Sequence, residues 1–149
     1  MKWITSTNIK QWADTRESQE LLPELIIRLI RATSKDVNTI KFPCGDAIHL
    51  SGWDGVLDSN ERIYNISSGI SLWECGVNSN PKDKADKDYR KRVNDSLGYK
   101  KQESTFVFVT PRVWDGATAW ANDKRQNKEW KDVVVITAVE ISNVEQQNL

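Results

Sequence analysis

Apolar positions along the chain follow two spacings, one helical and one strand-like. From Ser18, the residues Leu21, Leu22, Leu25, Ile26, Leu29 and Ile30 recur every three or four positions, with Glu20, Glu24, Arg28 and Arg31 on the other faces. This spacing predicts an amphipathic helix capped by Ser18 and ending near Ser34. Pro23 is tolerable in its early turns, where backbone donors lack partners anyway. A shorter helix is predicted over Trp3 to Thr15, capped by Ser6 or Thr7, with Ile9, Trp12 and Ala13 on one face. A third runs from Lys82 to Leu97 on a narrow stripe of Ala85, Tyr89, Val93 and Leu97. A fourth spans Ala117 to Lys128 and carries Trp120.

Strand signals fill the remainder. Asn38 to Phe42, Ala47 to Leu50 and Arg62 to Ile66 are predicted strands, with Asp58-Ser59-Asn60-Glu61 as a hairpin loop. Ile70 to Val77 is the most apolar strand of this half and is therefore expected at the centre of the sheet. The runs TFVFVT (Thr105 to Thr110) and VVVITAV (Val133 to Val139) have the β-branched and aromatic content of strands covered on both faces. The fold class expected is α/β, a central mixed sheet flanked by helices.

A chain of 149 residues is long enough for one core and too short for two. Lys plus Arg and Asp plus Glu number 21 each. That balance excludes a protein built to coat a polyanion, so any such affinity must be local. Two cysteines, Cys44 and Cys75, lack zinc-site spacing and fit a reducing cytosol, with no disulfide expected. No apolar run approaches the roughly 20 residues that span a bilayer, and Met-Lys-Trp-Ile-Thr-Ser is no signal peptide. A cytoplasmic protein without a membrane partner is expected. Most of the seven tryptophans are expected in or beside the core. Polar residues Glu145 to Leu149 follow directly on the last apolar run, as in a module of a longer protein.

Candidate chemistry concentrates between Gly52 and Gly76. Asp54 stands in GWDG and Glu74 in WECG, each where a purely structural strand prefers an uncharged residue. A turn-rich connection allows the two to meet, and a hard divalent cation, Mg²⁺ or Mn²⁺, is the simplest reason for two such acids. Solvated turn or strand-edge acids are the alternative. Glu20 and Glu24, one turn apart, are further acid candidates, although an acidic first turn suits the helix dipole by itself. His49 is either a base or ligand, or a packed bystander; Arg112 is either functional or a surface loop residue. The helix after Pro81 carries the one concentrated basic surface: Lys82, Lys84, Lys87, Arg90, Lys91 and Arg92, with Lys100 and Lys101 beyond. It is read either as a phosphate contact or as a solvated face interleaved with Asp83, Asp86, Asp88 and Asp95.

The order of these elements, with Asp54 near a strand bend and Glu74 on the next central strand 20 positions later, resembles the PD-(D/E)XK nuclease superfamily. The resemblance covers Ser18 to Val139. It implies a restriction-endonuclease-like three-layer α/β/α fold and metal-dependent cleavage of duplex DNA. Asp54, one oxygen of Glu74 and the Cys75 carbonyl would hold Mg²⁺ or Mn²⁺. The family's lysine two residues after the second acid is here Gly76. Lys82 or Lys84 is the natural substitute, and Lys84, Arg90, Lys91 and Lys100 would hold backbone phosphates. GWDG, a WE-x-G strand and a KAxxDY helix are also similar to amino-terminal effector domains of bacterial antiphage NTPases of the STAND type. That likeness implies a role in antiviral defence within a homo-oligomer or larger NTPase assembly. The expectation from a different class is a catalytically inactive module that uses a Trp-rich surface for protein interaction or self-association, and Gly76 favours it.

Overall fold

A computed structural model of the protein describes residues 5–15, 17–42 and 52–147. Its helices and strands follow in the order α1 (Ser6–Ala13), α2 (Glu17–Thr33), β1 (Val37–Lys41), β2 (Gly55–Ser59), β3 (Gly69–Cys75), α3 (Pro81–Asn94), β4 (Ser104–Val109), α4 (Ala117–Gln126), β5 (Asp132–Ile136) and α5 (Ala138–Gln147). The cap of α1 is Thr5, rather than the expected Ser6 or Thr7. Thr5 and Asn8 exchange hydrogen bonds, each side chain accepting from the other's backbone N–H at 3.1 Å.

The sheet has the spatial order β1-β2-β3-β4-β5, antiparallel from β1 to β3 and parallel from β3 to β5. The chain is thus α/β with a mixed, open five-stranded sheet, and β3 lies at its centre as its apolar content predicts. Period-two alternation divides the core. Leu72, Phe106, Phe108 and Val133 face Ala85 and Tyr89 of α3 and Trp120 of α4. Trp73, Val107, Val109 and Val134 share the opposite cluster with Ile9, Leu22, Ile26 and Ile141 of α1, α2 and α5. Every residue of β4 is buried, in keeping with a strand covered on both faces.

Four expectations are corrected. Arg62 to Ile66 is a tight turn, with Tyr64 at φ 55° and a single bridge between Ile63 and Ile66. These two buried isoleucines are three residues apart, which breaks the period of two. The partner of β2 is therefore β3, from Gly55 opposite Trp73 to Ser59 opposite Gly69, and Asp58 and Ser59 belong to the strand rather than a loop. The run VVVITAV is also not one strand. It stops at Ile136, and Thr137 caps α5, its N–H donating to Glu140 Oε2 at 3.0 Å. Finally, α3 ends at Asn94, and Leu97 is exposed in the following turn. The predicted strand Ala47 to Leu50, with His49, and Cys44 lie outside the described residues.

Candidate functional site

The register of the β2–β3 hairpin brings the two acids together. Asp54 immediately precedes β2, and its Oδ2 accepts a hydrogen bond from the Cys75 backbone N–H at 2.8 Å. Gly55 is required there, because a Cβ would lie 2.1 Å from Phe42 Cε1 and the ring is buried. Alternation along β3 sends Glu74 to the Leu72 side, toward α3. Glu74 is 4% exposed and close enough to Asp54 for a hydrogen bond between the carboxyl groups. Burial, and then the charge and hydrogen bond of Asp54, push the Glu74 carboxyl up to about 9, against the pull of Arg92.

Helix α3 supplies the other wall. Lys84, Asp88 and Arg92 recur at i, i+4 spacing and so form a single charged stripe. Arg92 is 3% exposed. Its Nε pairs with Glu74 Oε1, its Nη2 donates to the Gly52 carbonyl at 2.5 Å, and its guanidinium lies 4.7 Å from the centre of the Trp53 ring. One arginine thereby ties the Gly52–Asp54 corner to β3. Lys84 Nζ donates to Asp88 Oδ1 at 2.9 Å. Its stem crosses the end of β3, since a Cβ on Gly76 would come within 2.6 Å of Lys84 Cγ. Burial pushes the Asp88 carboxyl up against the pull of Lys84, and the charge of Asp54 adds to the rise. Burial, followed by the charges of Asp54 and Glu74, also holds the Cys75 thiol well above its ordinary value. Cys75 therefore enters the site through its backbone rather than as a thiolate.

Of the expected site residues, Asp54, Glu74, Cys75 and Lys84 come together and the others do not. Lys82 is exposed and pairs with Asp86 at 2.9 Å. Arg90 and Lys91 are exposed on α3, and Lys100 lies beyond it, exposed and 4.0 Å from Glu103. Glu24 makes a surface pair with Arg28 at 2.8 Å, and the side chain of Glu20 lies outside the description. Arg112 holds loops rather than a ligand: it donates to the carbonyls of Val77 at 2.9 Å and Ala13 at 3.1 Å and pairs with Asp14. Of the described tryptophans, Trp53, Trp73, Trp120 and Trp130 are buried, and Trp12 and Trp114 are half-buried. Sequence reasoning missed Arg92 and Asp88 as site residues. The spacing 84, 88, 92 was the available signal, one position out of step with the apolar stripe 85, 89, 93.

Among the described residues no three His, Cys, Asp or Glu side chains gather as a metal-holding group. Two meeting carboxylates beside strand backbone remain, and this donor set fits a small hard cation that binds through one or two carboxylates and keeps several waters. Among the described residues no helix is long and apolar enough to cross a membrane. Compared with family models, curated proteins and solved structures, the chain finds no match.

Proposed function

We propose that the protein is a metal-dependent endonuclease of the restriction-endonuclease-like fold that cleaves DNA phosphodiester bonds, with Mg²⁺ or Mn²⁺ held by Asp54, one oxygen of Glu74 and the Cys75 carbonyl. What supports this reading is the meeting of Asp54 and Glu74 at the end of the central strand with a lysine stem lying over Gly76. Arg92 occupies Glu74 Oε1 and so leaves the other carboxylate oxygen for the cation. When bound, the metal would lower the pKa of a water and offset charge on the phosphate. Lys84 takes the place of the lysine absent at position 76 and orients the nucleophile. Exposed Arg90, Lys91 and Lys100 hold backbone phosphates without reading bases. A role as an effector in antiphage defence is part of the proposal and rests on the likeness of GWDG, the WE-x-G strand and the KAxxDY helix.

The test is nicking of supercoiled plasmid with Mn²⁺, together with calorimetry of Mn²⁺ binding. Wild type is expected to bind the metal and cut. Asp54→Ala and Glu74→Ala should lose cutting by at least about 10²-fold with unchanged circular dichroism. Full activity in both variants would remove the two acids from catalysis. A wild type that gives no heat with Mn²⁺ would favour the inactive interaction module.

A further inference from the structure

The turn after α3 carries a side chain that the fold does not call for. Ser96 to Tyr99 reverse the chain, with the Tyr99 N–H donating to the Ser96 carbonyl at 3.4 Å, Leu97 at φ 57° and Gly98 at φ 89°. Two successive positive φ values are what a type I′ turn requires, and its first central position favours Asn, Asp or Gly because other side chains crowd the backbone there. Leu97 holds that position and is 44% exposed. One residue thus combines backbone strain with an apolar tip in water, and asparagine would remove both. The turn is also braced. Asp95 Oδ1 accepts from the Leu97 N–H at 2.9 Å, Ser96 Oγ donates to the Tyr99 carbonyl at 2.6 Å, and Trp53 Nε1 donates to the Ser96 carbonyl at 3.1 Å. Trp53 immediately precedes Asp54 and lies against Arg92, so the turn is fastened to the corner that presents the first acid.

The surroundings say what such a tip would meet. Exposed Arg90 and Lys91 precede the turn and exposed Lys100 follows it, while the acid within it, Asp95, is engaged by the Leu97 N–H. Tyr64, the other exposed apolar side chain at positive φ, lies instead in the field of Glu140, which repels phosphate. We infer that Leu97 is a wedge that enters the minor groove of duplex DNA and parts one base step, with Lys91 and Lys100 on the flanking phosphates. The inference rests on the reading of Asp54 and Glu74 as a DNA-cleaving site and names how that site takes hold of its substrate. An apolar side chain between base pairs kinks the duplex at the cost of unstacking, and phosphate contacts offset that cost without reading sequence. Because Trp53 joins the turn to the acid-bearing corner, a kink made at Leu97 brings the bent backbone to the acids rather than to a distant face. Strain at position 97 then has a use: it holds the tip rigid and outward, where a residue suited to the turn would offer the groove nothing apolar.

The experiment binds a short duplex carrying 2-aminopurine at several positions in chelator, where nothing is cut, and reads the rise in fluorescence that unstacking produces. With Mn²⁺, nicking is then compared on an intact duplex and on one kinked beforehand by a single-base bulge. Wild type is expected to raise the fluorescence, and Leu97→Met, which keeps an apolar tip, should do the same. Leu97→Asn suits the positive φ and lacks the tip; it should melt within about 4 °C of wild type and bind Mn²⁺ equally, with the fluorescence rise lost. Its nicking of the intact duplex should fall by about tenfold or more, while the bulged duplex is cut within about threefold of wild type. Leu97→Gly removes the tip by a second route and should behave as Leu97→Asn does. An undiminished rise in both truncated variants, or no rise with a wild type that binds and nicks, would overturn the wedge and leave the acid pair untouched. Equal losses on intact and bulged duplexes would also overturn it, since Leu97 would then serve the fold rather than the bend. A wild type that takes up no Mn²⁺ and cuts neither duplex overturns the nuclease reading and the wedge with it, a result seen before any Leu97 variant is compared.

Discussion

A buried carboxyl next to a second acid must either keep its proton or face a cation, and Glu74 sits between these choices. Its folded pKa is raised from the ordinary 4.5 to about 9, with burial as the first cause and Asp54 as the second. The protonated form is the one the fold prefers, so this group's contribution to stability is complete below about pH 4.5 and is lost as pH rises through 9. Glu74→Gln imitates the protonated acid. In chelator, wild type should lose stability relative to Glu74→Gln by at most about 1.4 kcal/mol per pH unit across that window, read by urea denaturation. A difference that stays flat from pH 5 to 9 would contradict the assigned cause. At this scale Asp54 and Glu74 were legible because strands rarely spend an acid on an interior position. Asp88 and Arg92 were not, because a helix turned by a single residue decides whether a charge faces water or the sheet, and alternating Lys and Asp leave that rotation ambiguous.

Among the elements, β3 and α3 meet over a glycine. A Cβ at position 76 would lie 2.6 Å from Lys84 Cγ and 3.0 Å from Phe108 Cζ, so strand and helix compete for one volume. Gly76→Ala should cost about 1–3 kcal/mol by overpacking and displace the lysine, lowering nicking with it. In a Lys84→Ala background the same substitution should cost at most about half as much, the remainder belonging to Phe108, as a double-mutant cycle in urea would read. Additive costs would mean that the lysine stem does not occupy that space. The central strand, the doubly covered β4 and α3 follow from apolar pattern. The start of α5 was masked because Thr137-Ala138-Val139-Glu140 is both the tail of an apolar run and a capping box, and backbone geometry selects the second.

For the whole molecule, a net charge of zero conceals an uneven arrangement. Lys84 and Arg92 turn inward to the acids, whereas Lys87, Arg90 and Lys91 remain exposed on α3. DNA affinity is therefore expected to be modest and lost with salt. Arg90→Glu with Lys91→Glu should weaken plasmid binding and reduce the salt slope by about 1.8, at about 0.9 per phosphate contact, while Mn²⁺ calorimetry stays unchanged. An unchanged slope would move the phosphate contacts off this helix. The arrangement of layers was legible from the order of helices and strands, but which charges the layers enclose depended on registers that pattern alone does not set.

Arg112 joins Val77 at the end of β3 to Ala13 and Asp14 at the end of α1, nearly a hundred residues away in sequence. Helix α1 also rests against α5. On the ribosome, α1 thus emerges well before the groups that seat it, and its packing is completed only once Arg112 and α5 have been synthesised.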